Sequence, residues 1–80
     1  MLGLFANLIG GIGVFLILVA FYLVQARKLI TESLAYYVIN LLGGIFILLS
    51  LLVYWNLSSV IMEIAWIAIS LAGIWRVTRT

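Results

Sequence analysis

The sequence predicts an all-α membrane protein, a bundle of three transmembrane helices joined by very short turns and forming one domain over residues 1–80. Two observations predict it. The chain is 69% hydrophobic and 8% charged, against about 25% charged in soluble domains, so it has too few polar side chains to coat a water-soluble core. The apolar residues also fall into three runs separated by short polar patches, each near the roughly 20 residues that cross a bilayer. With no Cys for disulfides and no His for a metal, a soluble fold of this size would also lack the usual staples.

The first span, residues 2–25, begins in an uncharged stretch from Leu2 to Val24 and stops where Gln25, Ala26, Arg27 and Lys28 interrupt it. A cleaved signal would have a basic start and a shorter apolar stretch, so a span is expected here. The second span, 34–55, follows the polar patch from Arg27 to Ser33. Asn56, Leu57, Ser58 and Ser59 form the next turn, with Ser58 or Ser59 expected as N-cap of the third span, 59–76. Helices are expected because lipid-exposed backbone must satisfy its own hydrogen bonds, and these runs lack the alternation of barrel strands. The absence of Pro excludes a Pro kink.

All four basic residues, Arg27, Lys28, Arg76 and Arg79, lie in the first turn and at the C-terminus, which three spans place on one side. Short basic segments favour the cytoplasmic face. The expected topology is N-out/C-in, multi-pass, in a bacterial inner (cytoplasmic) membrane, with Tyr36, Tyr37, Tyr54, Trp55 and Trp75 near the interfaces. The net charge of +2 is too sparse and too divided for a nucleic-acid face, so the expected surroundings are the lipid bilayer.

Each span carries a face of small or polar residues. In the first it is Gly3, Ala6, Gly10, Gly13, Ile17 and Ala20, suited to close helix packing. In the second it is Tyr36, Asn40, Gly43 with Gly44, Ile47, Ser50 and Tyr54, and in the third Ser59, Glu63, Trp66, Ser70 and Gly73. Glu63 is the only ionisable residue inside an apolar run, placed about one turn below the start of its span. A central acid costs about 2.5–3.5 kcal/mol on insertion scales, less toward an end, so it should face protein or water.

Folding the second and third spans about Leu57 predicts Ser50 level with Glu63 and Ile47 level with Trp66, with Asn7 of the first span at a similar depth. Asn40 then falls in the opposite half of the membrane, about 15 Å away by the helical rise. Two roles are open to Glu63. It binds a cation, a proton or a polar substrate group in a cavity shared with Trp66, Asn7 and Ser50, or it is a protonated carboxyl that bonds between helices or reaches the interface. Trp66 serves packing or a binding platform. Asn40 is interhelical glue, worth about 0.6–2 kcal/mol, or a ligand for a passing solute.

Catalysis is not expected. Glu32 in the first turn and Glu63 in the third span are the two acids and are too far apart to act as a pair. No metal cluster is in prospect and no cofactor is expected, because Gly10, Gly11 and Gly13 lie inside an apolar run rather than after a strand.

Three spans, a short second turn, a polar residue early in the third and a length of 80 residues together resemble the bacterial SemiSWEET (MtN3/PQ-loop related) sugar transporters over about Gly10 to Trp75. That resemblance implies a hinge at Val24 and Gln25, where the family has a Pro-Gln pair, and a binding-site role for Glu63, where the family has an Asn. Tyr54 or Trp55 matches the family's aromatic near the end of the second helix. The chain is also similar to small uncharacterised bacterial three-helix proteins through Gly10 to Gly13, Asn40 to Gly44 and Trp66, a resemblance that implies a fold alone.

Three helices have too little wall to enclose a pathway, so transport requires an oligomer, expected as a parallel homodimer. The expected function is transport of a small polar solute, with a sugar implied by the SemiSWEET resemblance. Two alternatives stand beside it: a structural or regulatory subunit of a larger membrane complex, and a Glu63-dependent exporter of cations or drugs. The topology is checked by single-cysteine labelling, since every introduced Cys is unique. Ser58→Cys should react with a membrane-impermeant maleimide in intact cells, and Thr31→Cys only after permeabilisation; the reverse pattern overturns the assignment.

Overall fold

The computed structural model describes residues 1–79 as three α-helices, α1 (Leu2–Gln25), α2 (Leu34–Leu51) and α3 (Leu57–Thr78). All three are long and apolar enough to cross a membrane. At about 1.5 Å per residue the 24, 18 and 22 residues correspond to roughly 36, 27 and 33 Å, against a hydrocarbon core of about 30 Å. Thr80, the last residue of the expected domain, lies outside the described residues.

The first helix has the expected bounds, and its end has a specific cause. Arg27 takes φ 63°, its N–H bonds to the Val24 carbonyl at 3.0 Å, and the Lys28 N–H bonds to the Leu23 carbonyl at 2.8 Å. This is a Schellman ending, which satisfies carbonyls that the helix leaves open. It usually carries Gly at the left-handed position; here the residue is Arg27. Val24 and Gln25 are therefore the last turn of an unbroken helix.

The ends that flank the second turn differ from the expected ones. The second helix stops at Leu51 rather than near Trp55, and α3 begins at Leu57. The N-cap of α3 is Asn56 and not Ser58 or Ser59: its Oδ1 accepts the Ser59 N–H at 3.0 Å. A Ser hydroxyl and an Asn side chain both serve this role, and Asn56 takes it because the helix begins a turn earlier. Ser33 caps α2 in the same way, accepting the Tyr36 N–H at 3.2 Å and donating to the Ile30 carbonyl at 2.6 Å.

The second helix is the middle one. It packs on α1 along one side and on α3 along another, while α1 and α3 do not approach each other, among the described residues. The stripe read on α2 as one face thus divides in two. Gly43 meets Gly13 so closely that a Cβ on either would stand 2.6–2.8 Å from the other's carbonyl oxygen. Gly44, one residue on and about 100° round the helix, faces Glu63, Trp66 and Ile67 instead. Gly10 lies against Ser50, Gly3 against Tyr54, and Gly73 against the Tyr37 ring.

These pairings shift the register. Gly44 lies against Trp66 at the position that a fold about Leu57 gives to Ile47, and Ser50 is level with Gly10 on the α1 side. The offset is about one helical turn relative to a fold about Leu57, and it follows from the five-residue turn, Leu52 to Asn56, that replaces the end of the expected second span.

Burial is slight. Among the described residues, Ala6, Ala20 and Val60 are the buried hydrophobic side chains, and none of the large ones is fully enclosed. Small residues bring the helices together, and large ones point outward to where lipid would lie, the pattern of helix association without a water-driven core. Replacing Gly13 by Ala should lower stability by about 1–3 kcal/mol, because the new methyl meets backbone that cannot yield. Gly11 has open space around it, so Gly11→Ala should fall within about 0.5 kcal/mol of neutral or improve stability. Reversible unfolding in micelles compares the two, and equal effects would contradict this helix contact.

Candidate functional site

Because α1 and α3 both lie on α2 but not on each other, a groove remains between them. Its walls are Val14, Ile17 and Leu18 of α1, Ile47 of α2, and Met62, Glu63 and Trp66 of α3, around a volume of about 200 Å³. Glu63 is the one ionisable group there. It lies six residues into α3, about 9 Å from the helix start by the rise and deeper than the sequence suggests, because α3 begins at Leu57.

The Glu63 side chain is only 8% exposed, and its Oε1 is buried without a hydrogen-bond partner. No Cβ on Gly44 intervenes: one placed there would stand 3.6 Å from that oxygen. The neighbouring Trp66 Nε1 is also buried and unpaired. A carboxyl oxygen and an indole N–H on adjacent turns of one helix are thus both left without partners, where each unmet buried group costs on the order of 1–3 kcal/mol.

A second cavity of about 130 Å³ lies between α2 and α3, toward the end of the bundle that holds the α1–α2 turn. Tyr36, Tyr37, Asn40, Trp66, Ile69 and Ser70 line it. Asn40 and Ser70 are buried, but Asn40 is not interhelical glue: its Nδ2 donates to the Tyr36 carbonyl of its own helix at 2.8 Å. An amide that donates to the carbonyl of the preceding turn is satisfied within its own helix rather than across the interface. Trp66 belongs to both cavities and separates them.

The candidates read from the sequence therefore divide. Glu63 and Trp66 share the groove, and Asn40 lies beyond Trp66 in the second cavity. Ser50 packs against Gly10 on the α1 side of α2 and is not a wall of the groove. Asn7 is exposed. Gly13, not Asn7, stands opposite the Gly43 level of the bundle, which puts Asn7 about 9 Å further along α1 by the rise. Val24 and Gln25 lie at the end of α1, remote from the groove.

Three features escape the sequence reading. Val14, Leu18 and Met62 are walls of the groove, but an apolar residue in an apolar helix carries no contrast. Ser70 stood in the α3 stripe without being singled out. At the far end of α3, the Arg76 guanidinium donates to the Tyr37 hydroxyl at 2.7 Å and lies 6.0 Å from the Tyr37 ring centre, which ties α3 to the start of α2. Its signal is the Gly73 and Arg76 spacing, which places a gap for the ring one turn before a donor for the hydroxyl.

A protein-family model matches residues 6–80, and the chain belongs to that family, which is uncharacterised. No curated protein and no solved structure matches the chain.

A carboxyl kept for structure loses stability when replaced, whereas one held without a partner gains it. Replacing Glu63 by Met, similar in length and apolar, should raise unfolding stability by about 1–3 kcal/mol. A destabilised Met variant, measured by thermal unfolding in micelles, would mean that Glu63 holds the helices together.

Proposed function

We propose that this chain is a small-solute transporter of the bacterial inner membrane, acting as a parallel homodimer with its N-terminus outside and its C-terminus inside. The observation that carries this reading is Glu63, a buried acid with an unpaired oxygen on the wall of a groove. Acids placed within membrane helices are costly, and they mark ion, proton or substrate sites where no structural partner accounts for them. Arg27 and Lys28 in the first turn and Arg76 and Arg79 at the end of α3 support the orientation.

A second copy supplies what one protomer lacks. The groove has α1 and α3 as sides and α2 as floor, and its remaining side is open. Two protomers about an axis along the membrane normal form a six-helix wall, the geometry of parallel-repeat transporters. Two Glu63 carboxyls facing one pathway would then titrate as a coupled pair. The resemblance to the SemiSWEET transporters belongs to the same reading and supplies the general scheme of three helices per half.

Native mass spectrometry and flux in proteoliposomes test it together. The expected result is a dimer whose solute flux follows a pH gradient, with Glu63→Gln abolishing the coupling. Unchanged coupled flux in the Gln variant would remove Glu63 from the mechanism. A monomer without flux that co-purifies with a larger membrane protein would make the chain a subunit instead.

A further inference from the structure

A ligand of the Glu63 groove must supply what the groove lacks. The carboxyl requires a donor or a positive charge, and no basic side chain of the chain can reach it. Arg76 is thirteen residues further along α3, about 20 Å by the rise, and Arg27 and Lys28 lie beyond the end of α1, a similar distance away. Among the lining residues, α1 and α2 contribute only aliphatic side chains, and α3 adds the thioether of Met62 and the indole of Trp66. Among the described residues, no other titratable side chain lines the groove with Glu63.

This lining selects among charge carriers. A metal ion of the calcium or magnesium type requires six or more oxygen ligands or retained waters, and the groove offers one carboxyl. A sugar would bring several hydroxyls to one carboxyl and one indole N–H, leaving the others buried without partners. A cation with an apolar body has neither difficulty. Its charge meets Glu63, the Trp66 ring can lie beside it as aromatic faces do with ammonium groups, and its body replaces lipid or water against Val14, Ile17 and Ile47.

We propose that the groove between α1 and α3 is a binding site for a small lipophilic ammonium ion, held by the Glu63 carboxylate and the Trp66 indole against apolar walls. The inference rests on the transporter reading for the fate of the ligand and on the groove itself for binding. The volume of about 200 Å³ restricts the ligand to a compact amine. Protons and ammonium ions compete for the same carboxylate, so binding of one expels the other.

The test uses the full chain in neutral-detergent micelles and a matched pair of probes, phenethylammonium and its uncharged counterpart 2-phenylethanol, by isothermal titration calorimetry. The ammonium ion should bind at least about tenfold more tightly than the alcohol, the range of one charge-assisted hydrogen bond. Glu63→Gln should remove that advantage and leave the alcohol unchanged, and Glu32→Gln, in the turn before α2, should alter neither. Should the Gln variant misfold, acidification of the native protein does the same work, weakening the ammonium ion alone.

Equal affinity for the two probes, or an ammonium affinity that survives both Glu63→Gln and acidification, would overturn the proposal. Parallel flux measurements separate it from the transporter reading. Glu63-dependent flux of another solute without ammonium binding sinks the ligand class alone, whereas ammonium binding without any flux upholds the site and removes transport.

Discussion

The rest of the structure depends on the approach of two helices to adjacent glycines of a third. Gly43 and Gly44 follow each other in α2, so their open faces point about 100° apart, and α1 settles on one while α3 settles on the other at nearly the same depth. At the first contact backbone meets backbone, because neither Gly13 nor Gly43 carries a side chain to hold them apart. In lipid, where apolar burial gives no water-driven gain, such closeness is the principal source of attraction between helices. The angle between the two contacts also keeps α1 and α3 separate.

The groove is a consequence of that angle. A single glycine stripe on α2 would have let one helix approach closely and would have left the third to pack where it could. Two stripes hold both neighbours on a common floor with a gap between them, and Glu63 stands on the wall of that gap beside Gly44. The absence of a Cβ at position 44 therefore serves the close packing of α3, since one placed there would stand 3.1 Å from the Ile67 side chain and 3.4 Å from the Trp66 ring. The same level carries the helix contact of α1, so the acid sits at the depth where both neighbours close on α2.

Much of this was legible from the residues. The three helices follow from run length and backbone satisfaction, and the small-residue faces of α1 and α3 correspond to contacts: Ala6, Gly13 and Ala20 are buried on α1, and Glu63, Ser70 and Gly73 on α3. Register was not legible, because it depends on where α2 stops, and Leu52, Val53 and Tyr54 are as apolar as the helix before them. The helix end at Leu51 is set by how the chain turns toward Asn56, whose capping role competes with two nearby serines. Ser50 and Asn7 consequently dropped out of the groove. Asn40 could not be resolved either, since an amide in a helix reaches its own preceding turn as easily as a neighbour.

Trp66 is one wall common to two small cavities, one containing Glu63 and the other bordered by Asn40 and Ser70. Spaces that share one wall are in reciprocal relation: a displacement of the indole that enlarged either one would take volume from the other. The space at the level of Glu63 and the space at the level of Asn40 thus meet at a single ring, and any change in the position of that ring would be felt at both depths of the bundle.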